Sequence, residues 1–161
     1  MPRRLLRDGE VVADDWRYLS EEEGEGAPRL ILGLEQWLSD REKWLERGGR
    51  LGVILAPAHA AELLVPDLAH FALVGAEFPN PGDGRGYTQG RLLRERWKFT
   101  GELRATGYVR RDQLFFLARC GFNSFELPDG EIETASAALA TFSARYQPSN
   151  DLGLATALRR R

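Results

Sequence analysis

From Leu30 onward the chain repeats one pattern: a short apolar run, then a stretch with helical spacing, at a pitch of about twenty residues. Leu30 to Leu34 leads into a helical stretch containing Trp37, Leu38, Trp44 and Leu45, which Gly48-Gly49 stops. Leu51 to Leu55 precedes a short helix within Pro57 to His70, and Phe71 to Ala76 precedes a loop and a helix from about Tyr87 to Trp97. Glu102 to Thr106 is followed by a helix from Asp112 to Cys120 with Gly121 as its cap, and Phe122 to Leu127 by a last helix from Glu131 to Tyr146. Strands that alternate with helices pair in parallel, because each helix is the crossover. The tight pitch predicts an α/β fold of about five βα units in an open or partial (β/α)-barrel-like sheet, the alternative being a doubly wound sheet. In either case ligands gather at the C-terminal ends of the strands.

The segments around this core are short. Arg4 to Arg7 and Glu10 to Ala13 flank Asp8-Gly9, a type I′ hairpin signal. Ser20 to Gly26 is acidic and glycine-rich and reads as a mobile linker. The expected organisation is one domain over residues 1–161: hairpin and linker at 1–29, βα core at 30–146, and a frayed tail at 147–161 that ends in three arginines. Hydrophobic residues make up 43%, enough for one core. A net charge of −2 gives no global field toward nucleic acid or an acidic membrane. Cys120 is the one cysteine, so the chain alone builds no disulfide framework, zinc cage or iron–sulfur cluster. With no apolar run near bilayer length and no signal-peptide core after Met1, the expected compartment is the cytoplasm.

Two strands carry charge where buried parallel strands should be apolar throughout. Period two places Glu102, Arg104 and Thr106 on one face, and Glu126 sits between Phe125 and Leu127. Glu77 ends a third strand. Buried charges are paired, hydrated or functional. Glu102, Arg104 and Glu126 are therefore candidate catalytic residues, or else members of a structural ion-pair network.

The loop Pro79 to Tyr87 holds Gly82, Asp83, Gly84, Arg85 and Gly86 and runs into a helix start, where free N–H groups attract anions. Asp83, Gly84, Arg85, Gly86 and Tyr87 are candidate ligand residues, with Arg91 and Arg94 on the helix and Arg110, Asp112 and Gln113 at the next helix start. A tight turn and a salt-bridged amphipathic helix are the plain alternative. No P-loop or dinucleotide fingerprint is formed. Cys120 reads as a buried thiol, His59 and His70 carry no assignable role, and Trp16, Trp37 and Trp44 read as core aromatics. No metal site and no cofactor site is evident.

Phe78-Pro79, Asp83 to Tyr87, Arg91 to Arg96, Gly101 to Ala105, Arg111 to Leu117 and Arg119 to Phe122 together resemble the bacterial family of unknown function numbered 934. The resemblance runs from about Leu30 to Tyr146 and is dense between Glu77 and Leu127; Gly90 departs from the bulkier residue usual there. Members are described as oxidoreductases involved in sulfite reduction, because their genes accompany those of sulfite reductase. The resemblance thus implies a role in sulfur assimilation. No redox motif accompanies it, so the expectation is an accessory protein that binds an anion, a cofactor, or sulfite reductase or its electron donor through an arginine-rich rim. A small enzyme acting on an anionic metabolite, with Glu102 or Glu126 as acid/base and Arg85 with Arg104 as anion clamp, is the second reading. A purely structural binding module is the third.

Overall fold

The computed structural model describes residues 3–22 and 24–145. β1 (Arg3–Arg7) and β2 (Glu10–Val12) form the predicted hairpin. Asp8 and Gly9 at its tip have φ of 52° and 82°, the paired positive values that a type I′ turn requires. β3 (Arg17–Tyr18) follows and was not anticipated from sequence. Five βα units come next. β4 (Arg29–Gly33) leads to α1 (Leu34–Ser39) and α2 (Arg41–Glu46), which break at Asp40 because its carboxylate caps the second helix by accepting from the Lys43 amide. β5 (Arg50–Leu55) leads to a 3₁₀ segment (Ala61–His70), and β6 (Phe71–Phe78) to α3 (Arg85–Glu95). β7 (Glu102–Gly107) leads to α4 (Leu114–Arg119), and β8 (Ser124–Pro128) to α5 (Ile132–Arg145).

All eight strands form one sheet in the order β2-β1-β8-β7-β6-β5-β4-β3. β3 to β8 run parallel in sequence order, and β1 joins β8 antiparallel with Leu5 opposite Glu126. The order never reverses, so the sheet is singly wound, and the doubly wound alternative does not apply. Side-chain alternation agrees. Leu32, Val53, Val74, Leu103 and Phe125 pack with Trp37, Leu64, Leu93, Leu117 and Ile132 of the helical segments in one core. The opposite face carries Ile31 and Leu73 against Trp16 and, among the described residues, no helix. The result is a curled eight-stranded half-barrel with helices on its outside.

A short connection bounds the curl. β2 and β3 lie at opposite edges of the sheet, seven strand spacings apart, yet five residue steps join Val12 to Arg17. Those steps reach about 18 Å at full extension, whereas seven flat spacings need about 34 Å. The edges must approach each other, and the segment 13–16 straps the open side. Trp16 is 3% exposed and lies over Ile31 and Leu73. Gly52 makes room for it, since a Cβ there would stand 3.3 Å from the Trp16 ring and 3.1 Å from Leu73.

The stretch after β3, expected as a linker, makes several hydrogen bonds to its own backbone and to Arg47. The Glu21 carboxylate accepts from the Tyr18 amide at 2.6 Å, its carbonyl accepts from the Gly24 amide at 2.9 Å, and Ala27 donates to the Gly24 carbonyl. Arg47 donates to the carbonyls of Glu25 and Ala27. Gly24 is buried, and a Cβ there would meet the Tyr18 carbonyl at 2.2 Å. The expected frayed tail, 147–161, lies outside the described residues. Among the described residues no helix is long and apolar enough to cross a membrane.

If the strap holds the half-barrel, Trp16→Ala removes its anchor and should lower stability by about 3–5 kcal/mol, the range for a buried tryptophan. Urea unfolding is the measurement. A loss below about 1 kcal/mol would mean that the strap is not part of the packed structure.

Candidate functional site

The inner face is built around Arg104, which is fully buried on β7. A buried guanidinium must find acceptors for its fork of donors. Asp14 of the strap takes two: Nη1 donates to Oδ2 at 2.9 Å and Nη2 to Oδ1 at 3.2 Å. Glu102 Oε1 accepts from Nε at 3.2 Å and from Nη2 at 2.9 Å, and Glu126 Oε1 accepts from Nη1 at 3.3 Å. Burial works against the charge, but Glu102 and Asp14 outweigh it and hold the guanidinium above its ordinary range. Ser124 donates to Glu102 at 2.6 Å, and Arg7 stands 3.6 Å from that carboxylate. Tyr18 donates its hydroxyl to Glu126 Oε1 at 2.6 Å. Burial first, then the Glu126 charge, pushes this phenol well above the usual tyrosine range.

Glu102, Arg104 and Glu126 are thus brought together, with Thr106 beyond Arg104 on the same strand face. Asp14 and Tyr18 complete the cluster and were missed. Their segment has no clear periodicity, and the only signal was Trp16 and Tyr18, two aromatics two apart, which marks a docked strand face. Two hollows flank the Tyr18–Glu126 pair. One, of about 480 Å³, lies toward β1 and β2 and is lined by Leu5, Val11 and Asp14 among others. The other, of about 430 Å³, opens at the C-terminal strand ends between Gly33, Ile54, Glu77, Thr106 and Gly107.

The rim candidates lie elsewhere and in separate arrangements. At the start of α3, Asp83 Oδ1 accepts from the Arg85 amide at 3.1 Å, and the Arg85 guanidinium grips the same carboxylate at 3.0 and 2.7 Å. That hydrogen bond holds the Asp83 carboxyl below its ordinary range. Asp83 itself stands where an anion at this helix start would sit. Gly84 precedes the helix, and Gly86 lies against Phe78, where a Cβ would be 2.6 Å from the ring. Arg94 is a packing element: it donates to the carbonyls of Gly121, Phe99 and Gly101 at 2.8 Å each and to Asn123 at 3.2 Å. Burial pulls its guanidinium down to about 10, so it is charged at neutral pH. Arg91 pairs with Glu95 and donates to Cys120 Sγ at 3.6 Å. Cys120 is 2% exposed, and burial pushes its thiol up.

Around the next helix start, Gln113 accepts from the Arg110 amide at 2.8 Å and stands 3.4 Å from the Tyr87 hydroxyl. Arg110 is paired with Glu131 and lies 5.9 Å from the Tyr108 ring. Tyr108, Arg110, Arg111, Asp112 and Glu131 line a surface hollow of about 420 Å³. Tyr87 contacts Phe116 with ring centroids 4.8 Å apart. The half-buried His59 accepts from the Ala56 amide, and the exposed His70 lies beside Trp37 with ring centroids 6.2 Å apart. Among the described residues no group of His, Cys, Asp and Glu is arranged to hold a metal ion.

Fold and site together define an α/β half-barrel whose inner face is closed by a strap and a buried charge cluster. Within that class, the profile of the family described as bacterial protein of unknown function (DUF934) matches residues 52–155, and the chain belongs to this family. The matched span starts inside β5 and leaves out the hairpin and the strap. No functionally curated protein matches the chain.

The Tyr18 phenol gives a pH signature. Its folded pKa lies above the unfolded one, so its contribution to stability is complete below about pH 10, the unfolded tyrosine value. It is lost progressively as pH rises above that value toward the raised folded pKa. Tyr18→Phe should lose about 1.5 kcal/mol at neutral pH, as befits a hydrogen bond to a carboxylate, and should then be less sensitive than wild type to further rise in pH. Urea midpoints measured across the alkaline range check this; parallel curves for the two proteins would contradict it.

Proposed function

We propose that this protein is an accessory of sulfite reduction that docks on the reductase or its electron donor through the aromatic and arginine-bearing rim at the C-terminal end of the sheet. The carrying observation is the company of exposed aromatics there. Tyr108, Phe115 and Phe116 are 40%, 38% and 50% exposed. Contacts link two of them, Phe116 and Tyr108, into one surface: Phe116 on Tyr87, Tyr87 beside Gln113, Gln113 on the Arg110 amide, and Arg110 by Tyr108. Aromatic and arginine side chains together are the composition of interface hot spots.

Charge favours a partner surface that carries carboxylates. Arg85 and Arg110 have side chains 60% and 47% exposed, and each meets a carboxylate of its own chain, Asp83 or Glu131. A partner's carboxylates would compete for these solvent-facing guanidiniums as the aromatics become covered. A role beside a redox enzyme also agrees with Cys120, whose thiol is buried and held above its ordinary range, unsuited to exchange with a second molecule.

The test is co-purification of the tagged full-length protein with sulfite reductase, together with growth of a deletion strain on sulfate as sole sulfur source. Phe116→Asp combined with Arg110→Glu should weaken the complex at least about tenfold, the loss of one hot-spot residue or more. The melting temperature should stay near that of wild type. Undiminished retention of the reductase by the double variant, or unimpaired growth of the deletion strain, would contradict the reading.

A further inference from the structure

The inner cavity at the strand ends differs in character from the rim. Among the described residues its wall includes the apolar Leu19, Ile31 and Ile54, two carboxylates, Glu77 and Glu126, and no lysine or arginine. Arg104 lies behind Glu126 and is already held by three carboxylates. An anion entering here would meet negative charge without a cation to balance it.

Two neighbouring residues at the mouth stand out. Glu77 and Thr106 are register partners on β6 and β7, and both line the cavity. Thr106 is only 7% exposed, yet its hydroxyl makes no hydrogen bond to any described residue. The other inward hydroxyls do have partners: Tyr18 is on Glu126 and Ser124 on Glu102. Glu77 is exposed at the mouth and has no hydrogen bond or ion pair to a described residue. The Thr106 residue is buried but its hydroxyl reaches the open cavity, and an accessible hydroxyl with no described protein partner is a place for a ligand's polar group.

We propose that this cavity binds a small organic cation, a primary ammonium on a short apolar body. The ammonium has three donors and no acceptor. It would donate to the Glu77 carboxylate and to Thr106 Oγ1 side by side, while Ile31 and Ile54 receive the apolar part. Charge selects cation over anion, and the apolar wall selects an alkyl amine over a bare inorganic cation. The site is separate from the docking rim, and its occupancy does not depend on a partner protein.

Titration of the full-length protein with n-butylammonium, followed in ¹H–¹⁵N spectra, tests this. The amides of Gly33, Thr106 and Gly107 should shift saturably at millimolar concentration. The neutral 1-butanol and the anionic butyrate should bind at least tenfold more weakly. Glu77→Gln should weaken ammonium binding about tenfold and Thr106→Val several-fold, both with the wild-type pattern of resonances elsewhere. If Glu77→Gln does not fold, Thr106→Val and the three probes on wild type decide. Shifts confined to surface carboxylates away from the cavity, butyrate binding as tightly as the ammonium, or full affinity in Thr106→Val would overturn the proposal.

Discussion

The structure depends on one short connection. Strands at opposite edges of an eight-stranded sheet are joined by the segment 13–16, and that length permits only a sheet that has curled until its edges face each other. The helices do not impose this by themselves, since singly wound βα units also build open sheets. The strap turns the free face into an interior. Trp16 fills its middle, and Asp14 and Tyr18 reach across to Arg104 and Glu126 on strands far away in the sheet. The interior is therefore apolar at its centre and ionic toward β7 and β8.

A buried arginine with three carboxylates is a poor source of net stability, because desolvation offsets most of the attraction. Its value lies in geometry. Glu102 shares β7 with Arg104 and Glu126 lies on the neighbouring β8, so Asp14 of the strap is the partner that the curl must bring to the guanidinium. An apolar core in the same place would tolerate neighbouring curls. The cluster also sets the character of the mouth above it. With Arg104 fully engaged below, the described cavity wall is carboxylate-bearing and free of lysine and arginine, while the exposed Arg110 stands beside Tyr108 on the outer rim.

Much of this was legible in the sequence. The βα rhythm announced itself because apolar runs such as Leu51 to Leu55 are set off by glycine pairs and helical stretches, and Asp8-Gly9 specified its turn through backbone conformation alone. That Glu102 and Arg104 share a face followed from the strand period, and an ion-pair network joining them to Glu126 was one of two readings left open. The contacts of Glu21 and of Gly24 to Ala27 did not follow, because they depend on Arg47, about twenty residues on, and on a carbonyl packed against Gly24. Nor could composition tell which arginines face solvent. Arg94 reads like its neighbours, yet it is wrapped in backbone carbonyls, whereas Arg85 meets its own Asp83 two residues away. Asp14 was hidden for the same reason: its partner lies 90 residues along the chain.

A double-mutant cycle on Asp14 and Arg104 tests most directly whether the strap and the buried cluster close the half-barrel. Wild type, Asp14→Asn, Arg104→Gln and the double variant are unfolded in urea and their free energies compared. A strap bonded to a buried guanidinium by two hydrogen bonds predicts a coupling of about 1.5 kcal/mol or more. Additivity within about 0.5 kcal/mol would mean that the strap does not meet Arg104, and the account of a closed interior would be wrong.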